Sequence, residues 1–251
     1  MMTLKKLKLI STLWVLIMID QKKILAIIPA RGGSKRLPRK NILPIAGKPL
    51  IQWTIEASLD SKYIDSTFVS TDCSEIAETA KSCGAQVPYL RPDILSSDTA
   101  TSMDVVLDAI DNYERSGQVF DFVLLLQPTS PLRTTGDIDG AIEMFQSKSA
   151  DAVVSVTECE HSPLWSNTLP SDFSLSNFIP DSVLKQRSQD LPKYYRLNGA
   201  IYLFNVKHVK EGISYLSLPR SFAYAMDKSH SIDIDDNFDF RVAEAFLMNA
   251  K

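Results

Sequence analysis

The stretch "KILAIIPARGGSKRLPRKN", residues 23–41, carries the first decision about the fold. Its first part is an apolar run that ends at Pro29, and two glycines follow at 32 and 33. That pattern reads as a strand feeding a loop. The loop is unusual in charge. From Arg31 to Asn41, eleven residues hold five cations (Arg31, Lys35, Arg36, Arg39 and Lys40) and no acid. In an open α/β sheet, ligands bind beyond the carboxyl ends of the strands, and the loop after the first strand is the usual phosphate cradle. Gly32 and Gly33 permit backbone conformations that present successive N–H groups to an anion. The cations then neutralise several phosphate charges, arginine bidentately. The spacing is neither G-x-x-x-x-G-K-[ST] nor G-x-G-x-x-G, so neither a Walker ATPase nor a standard dinucleotide fold is supported. Taken alone, the stretch is also compatible with a solvated basic turn.

Outward from this strand, short β-rich runs alternate with helical patterns. Strands are predicted at 23–29, 66–71, 87–90, 122–127, 151–156, 200–204 and 222–226, and helices near 49–59, 74–83, 101–115 and 137–148. Pro49 suits a first helical turn, and Thr71 and Asp72 a cap. Strand–helix alternation with near-continuous apolar strands predicts a mainly parallel sheet covered on both faces. The rhythm breaks between about 157 and 196, where Ser, Pro, Asn and Asp accumulate. Forty residues without clear elements are unusual inside a compact domain. Leu164, Trp165, Leu169, Phe173, Leu175 and Phe178 in that segment call for burial, so 157–196 reads as an inserted arm or small subdomain that packs on a partner subunit, with a long disordered loop as the alternative. The α/β domain is then built from 24–156 and 197–251.

Composition narrows the ligand. A chain of 251 residues, 45% hydrophobic and 23% charged, has room for one large core. A net charge of −3 excludes a general nucleic-acid binder, so the local basic loop points to a small anion. Cys73, Cys83 and Cys159 are odd in number and lack CxxC spacing, which predicts free thiols in a reducing, cytoplasmic setting. His161, His208 and His230 are scattered, and no zinc site is expected. Lys5, Lys6 and Lys8 precede the eleven-residue stretch "LISTLWVLIMI" (9–19), which is too short to span a bilayer. Residues 1–23 therefore read as an N-terminal extension, with Met18 as the alternative start, and no stable membrane insertion is expected.

A second pole lies at "SIDIDDNFDFRVAEAFL", residues 231–247. Phe238, Val242 and Phe246, with Ala243 and Leu247, suggest a helical stripe, with Asp236 as N-cap and Asp239 at the third position. Asp233 and Asp235 are left over. They alternate with isoleucines, so an extended backbone turns both carboxylates to one side, roughly 6.6–6.8 Å apart along the chain. Such an all-oxygen pair suits Mg²⁺, with ligand distances of about 2.1 Å and the remaining ligands from water and phosphate. An acidic solvated turn is the alternative. A basic loop opposite a metal-binding carboxylate pair is what phosphoryl or nucleotidyl transfer requires.

Three further segments fit that reading. "LLLQPTSPLR" (124–133) places Gln127, Thr129, Ser130 and Arg133 at the binding edge of the sheet. "RPDILSSDTATS" (91–102) offers hydroxyls and amides to a base, with Ser97, Asp98 or Thr99 as a helix cap. "RSQDLPKYYRLNGAIYLF" (187–204) brings Arg187, Arg196 and Asn198 to a strand, where two arginines suit an acidic sugar.

"IPARGGSKRLPRKN", "LLQPTSPLR", "LPKYYRLNGAIY" and "SIDID", in this order, resemble the acylneuraminate cytidylyltransferases, the CMP-sialic acid synthetases, over about residues 24–249. The resemblance implies a three-layer α/β/α fold of the nucleotide-diphospho-sugar transferase type with an inserted dimerisation arm. It implies a homodimer that joins CTP to a nine-carbon sugar acid with Mg²⁺, releasing CMP-sugar and pyrophosphate. By position, Arg31 corresponds to the arginine that stabilises the triphosphate and departing pyrophosphate, and Ser34, Lys40 and Asn41 to further nucleotide contacts. Arg91 and Ser102 correspond to the cytosine site, and Gln127, Arg187 and Tyr202 to the sugar site. Asp233 and Asp235 correspond to the metal pair, with Arg31, Lys40 and Asp235 in catalytic roles.

"YLSLPR" (215–220) lacks the paired phenylalanines of the acyl pocket, and Trp165 stands after "HSPL" where some relatives have lysine. N-acetylneuraminic, legionaminic and pseudaminic acids all stay open. A single-activity chain is expected, since no second catalytic domain is in the sequence. The rivals are a nucleotidyltransferase of the same fold for another base or sugar, and a non-catalytic nucleotide-sugar binding protein.

Overall fold

The computed structural model describes residues 22–249; residues 1–21 of the N-terminal extension, and with them the question of the start, lie outside these. The stretch quoted first forms β1 (Ile24–Pro29), at the centre of the core. β1 pairs in parallel on one side with β2 (Ser66–Ser70) and on the other with β3 (Phe122–Leu125). Three more strands, β4 (Ala152–Glu158), β5 (Tyr195–Asn205) and β6 (Ser221–Ala225), complete a sheet of order β2-β1-β3-β5-β4-β6. β5 alone runs against the others, antiparallel to both β3 and β4.

The period-two alternation of β1 distributes its side chains between two helical layers. Ile24, Ala26 and Ile28 pack with α1 (Leu50–Leu59), α2 (Ser74–Ser82) and α4 (Thr135–Ser147), against side chains such as Ile55, Ile76 and Ile142. Leu25 and Ile27 face α3 (Ser102–Arg115), meeting Val106, Ala109 and Tyr113. Each of these fully buried aliphatic side chains contributes about 1.5–3 kcal/mol, which is why β1 tolerates no polar residue. The result is the three-layer α/β/α, mainly parallel arrangement read from the sequence.

Capping boxes set two helix starts: Thr101 with Asp104 begins α3, and Thr134 with Asp137 begins α4. The cap of α3 is therefore Thr101 and not Ser97, Asp98 or Thr99. At α2 the cap position is Cys73, one residue beyond the predicted Thr71 and Asp72.

A third core cluster joins α5 (Asn237–Asn249) to a small hairpin, Pro44–Ile45 with Lys48–Pro49. Asp236 caps α5, accepting the Phe238 and Asp239 N–H groups, while Asp239 accepts the Asp236 N–H. Of the predicted stripe, Ala243 and Leu247 are buried, while Phe240 takes the inward place expected of Phe238 and Phe246. Phe238 is 74% and Phe246 47% exposed. Either choice has helical spacing, and contact with Ile45, Leu50, Leu132 and Ile234 selects the one that faces inward.

Two other expectations change. Residues 87–90 form no strand: Gln86 bridges Phe68 at the edge of the sheet, and Pro88 has no N–H to continue the ladder. The break after β4 starts two residues later than predicted, because Glu158 still pairs with Tyr195. Between them the chain forms only short turns, at Pro163–Trp165, Asp181–Leu184 and Ser188–Asp190. Leu169, Phe173 and Leu175 are exposed on this arm.

Candidate active site

A cleft of about 500 Å³ opens at the carboxyl ends of β1 and β3. Its walls are the basic loop after β1, the segment leading into α3, the turn after β3, and the acidic segment before α5. Arg31, Ser34, Lys40, Asn41, Arg91 and Ser102 all line it. So do Gln127, Asp233 and Asp235. Of the residues given nucleotide, sugar or metal roles by the resemblance, Arg187 and Tyr202 lie outside its walls. Arg187 is exposed on the arm. Tyr202, on β5, is half-buried, with its ring edge-on to Tyr215 at 5.6 Å. Burial first, then the charges of Tyr215 and Asp233, push its hydroxyl up to about 12.

The basic loop is anchored from within. Asn41 is buried and donates to the Arg31 carbonyl at 3.0 Å, while the Gly32 N–H donates to Asp72 Oδ1 at 2.9 Å. Neither Gly32 nor Gly33 has a positive φ. Gly32 is required instead by close approach: a Cβ there would sit 3.0 Å from the Cys73 Cβ. The expectation of an anion-facing N–H is thus corrected for Gly32, whose amide already has a carboxylate partner, while Gly33 has open space around it.

Four of the five loop cations also have an acid, brought from elsewhere in the chain. Arg31 pairs with Asp98 at 3.1 Å and Lys35 binds the same carboxylate, while Arg36 pairs with Asp235 at 3.0 Å. Arg39 pairs with Glu75 of α2 and lies outside the cleft, so it leaves the set of phosphate cations. Lys40 is half-buried, with Nζ donating to the Ile234 carbonyl. Burial lowers its pKa, opposed by the charges of Asp233 and Asp235.

On the opposite wall, Ile234 is fully buried and Ile232 packs beside it under α5, which leaves Asp233 and Asp235 facing the cleft. The alternation therefore works as read, although the segment is held by a single ladder-like bond, Ile234 N–H to Thr129 O at 2.8 Å, and not by a full strand. Asp233 is half-buried and Asp235 exposed. Burial raises the Asp233 pKa, a hydrogen bond from Thr129 opposes this, and the Asp235 charge adds to the rise. Ser130 and Arg133, expected at the binding edge, are buried beneath it. Arg133 Nη1 donates to the carbonyls of Gln127 at 3.1 Å and Ala200 at 2.9 Å, and burial brings its pKa down to about 9. Arg196 is occupied by Glu160 at 2.8 Å.

The family profile described as Cytidylyltransferase matches residues 25–211, which covers the cleft walls as far as β5. This chain belongs to the cytidylyltransferase family. Among its relatives, the CMP-N,N'-diacetyllegionaminic acid synthase of Legionella pneumophila is 39% identical over 90% of this chain and 96% of its own length. The N-acylneuraminate cytidylyltransferase of Streptococcus agalactiae is 41% identical over 87% of this chain, and the match spans 52% of that longer protein. Among solved structures, CMP:2-keto-3-deoxy-manno-octonic acid synthetase complexed with CTP superposes with a TM-score of 0.68 at 18% identity, over 92% of this chain and all of the other. That likeness shows a shared fold.

Within this cytidylyltransferase, three contributors to the cleft escape the linear reading: Asp72, Asp98 and Gly199. Gly199 sits in a bulge where β5 places residues 198–201 opposite the single Ser155 of β4. Its φ is +74°, and a Cβ there would lie 2.6 Å from Gln127 Oε1 and 3.4 Å from Asp233 Oδ2. The bulge is fastened by Asn198, which accepts from Ser155 Oγ at 2.6 Å and donates to Ser231 Oγ at 3.0 Å. Ser231 stands two residues before Asp233, so the β5 bulge positions the acidic wall. The Asn-Gly pair was the available signal, masked by reading the segment as a regular strand. Gly199→Ala is expected to lower stability by about 1–3 kcal/mol through the left-handed backbone alone. It should also displace Gln127 and reduce kcat/KM at least about tenfold. Thermal melts with steady-state rates check this, and an alanine variant with wild-type rates would contradict the packing argument.

Proposed function

We propose that this enzyme transfers the cytidylyl group of CTP to a nine-carbon 2-keto sugar acid of the sialic, legionaminic or pseudaminic type. The observation that carries the reading is the facing of Arg31, Lys35 and Lys40 with Asp233 and Asp235 across one cleft whose third wall is Arg91 and Ser102. Arg31, Ser34, Lys40 and Asn41 bind the triphosphate, and Arg31 and Lys40 stabilise the charge that builds on the leaving pyrophosphate. Arg91 and Ser102 hold the cytosine. Gln127, beside Asp233 and Gly199, faces the sugar, and Arg187 and Tyr202, beyond the walls of this cleft, are assigned to the sugar by the resemblance alone. The anomeric hydroxyl oxygen forms a bond to the α-phosphorus as the bond from that phosphorus to the bridging oxygen breaks. The hydroxyl proton passes to Asp235, on the open side of the cleft.

The donor set fits Mg²⁺. Asp233 and Asp235 are two oxygen donors on one wall, and among the described residues no group of three or more His, Cys, Asp or Glu offers a fuller protein cage. A hard cation that keeps water and phosphate oxygens as its other ligands suits that pair. When bound, it would neutralise charge on the phosphate oxygens.

The relatives named above act on a legionaminic and an N-acylneuraminic acid by their names, and both support the nine-carbon class. Pyrophosphate release is the test, with Mg²⁺, each of the four ribonucleoside triphosphates, and N-acetylneuraminic, legionaminic and pseudaminic acids in turn. Release with CTP and one of these acids names the substrate. Silence across the panel from folded protein rejects the reading.

We also infer that the arm between β4 and β5 mates with a second copy, supported by its exposed Leu169, Phe173 and Leu175. Light scattering at micromolar concentration should give the mass of a dimer; a monomeric mass from an active preparation would contradict the inference.

A further inference from the structure

One carboxylate outside the residues given roles above touches two walls of the cleft at once. Asp72 follows β2, and its Oδ1 accepts the Gly32 N–H at 2.9 Å while lying 3.9 Å from Arg91 Nη2. The Arg91 side chain is 3% exposed and that of Asp72 23%, so the two charges meet largely out of water. Burial lowers the Arg91 pKa, and Asp72 is the largest influence opposing it. The flanking residues strengthen the joint. The Thr71 carbonyl accepts the Arg91 N–H at 2.7 Å, and the Cys73 Cβ lies 3.0 Å from where a Gly32 Cβ would stand. The turn 71–73 is therefore the hinge pin between the phosphate loop and the base-side loop.

Arginine has only donors, whereas the pairing edge of cytosine offers two acceptors, O2 and N3, and uracil carries a proton on N3. Discrimination between them depends on where the Arg91 N–H groups point. Its Nε is fixed on Ser96 Oγ at 3.1 Å, and the Nη side faces Asp72.

We propose that Asp72 is a positioning residue that sets base selectivity by holding Arg91 and the Gly32 amide on one carboxylate oxygen. This rests on the cytidylyl-transfer reading, and it makes no contact with substrate a requirement for Asp72.

Two variants of the full chain separate the two contacts. Asp72→Asn keeps an oxygen for the Gly32 N–H but offers no charge to Arg91. Asp72→Ala removes both. The readouts are kcat/KM for CTP and for UTP, and the affinities of both nucleotides titrated without sugar acid. For Asp72→Asn, kcat should stay within about threefold of wild type while the CTP-to-UTP ratio shrinks about tenfold, because the charge that orients the largely buried Arg91 is lost. Asp72→Ala should narrow the ratio similarly and lower kcat as well. In an Arg91→Ala background, adding Asp72→Asn should leave the ratio unmoved, since the effect runs through Arg91.

An unchanged ratio in folded Asp72→Asn overturns the proposal, whatever happens to thermal stability. So does a shift of the same size without Arg91. If the wild-type chain binds CTP over UTP but turns over with no sugar acid, the transfer reading fails separately, and the titrated ratio still decides the role of Asp72.

Discussion

Arg31→Ala is expected to lower kcat/KM for CTP by about a thousandfold, with most of the loss in kcat, while the circular dichroism spectrum and melting temperature stay near wild type. The two halves of that result have separate causes. Arg31 is 40% exposed and its carboxylate partner is Asp98, itself more than half exposed. Exposed pairs are worth about 0–1 kcal/mol, so the fold loses little and no buried charge is stranded. In transfer, however, charge develops on the departing pyrophosphate. A positioned cation there acts in a water-poor cleft, where removal of one such donor typically costs about 10²–10³-fold, and more for a phosphoryl-transfer arginine. Arg31→Lys should recover part of the rate, because it restores charge without the bidentate fork. A raised KM with unchanged kcat would assign Arg31 to ground-state binding alone, and near-normal activity would remove it from the site.

The pairing of Arg31 with Asp98 also says what triphosphate binding has to do. Asp98 occupies two cations, Arg31 and Lys35, and Asp235 occupies Arg36. An incoming triphosphate competes with these carboxylates for the same donors. Because the pairs are exposed, their loss is a small charge against a ligand that brings several phosphate oxygens.

That network marks the limit of what the sequence made legible. The five cations of 31–41 were visible as an excess without local acid. The acids arrive from positions 75, 98 and 235, and only the folded chain brings them near. The strands were readable where burial on both faces enforces apolar runs, as in β1 and β3. Segments whose form depends on a neighbour were not. Residues 87–90 have strand composition, yet Pro88 and an edge position leave a single bridge. On α5, Phe238 and Phe246 competed at helical spacing with Phe240, and contact with Ile45, Leu50, Leu132 and Ile234 chose between them. Gly32 was noticed for the wrong reason: its value is the space that it leaves for Cys73, a tertiary contact. Asp233 and Asp235 were legible because their cause is local, a buried Ile234 and a partly buried Ile232 forcing two carboxylates outward.

For that pair, Asp235→Asn and Asp233→Asn should each reduce turnover by about 10²–10³-fold with the fold retained, and the two should differ in a telling way. Both asparagines keep an oxygen on the cleft wall but remove a charge, so each should raise the Mg²⁺ concentration needed for half-maximal rate. Asp235 is exposed and paired with Arg36, so its replacement frees one basic side chain and leaves stability almost unchanged. Asp233 is half-buried, and burial together with the charge of Asp235 already disfavours its ionised form, which is why its pKa lies above the usual carboxylate value. A raised folded-state pKa means that this group favours the fold most below its unfolded pKa, and that the advantage fades as pH rises through the folded value. At neutral pH, then, Asp233→Asn should melt no lower than wild type while being nearly inactive. Thermal melts at pH 7 beside a Mg²⁺ titration of the rate examine both halves. Substantial activity in either variant at ordinary Mg²⁺ would break the assignment of the acidic wall. A large drop in melting temperature for Asp233→Asn would mean instead that its carboxylate holds the β5 bulge and the Thr129 turn together. The site would then be built around Asp235 alone.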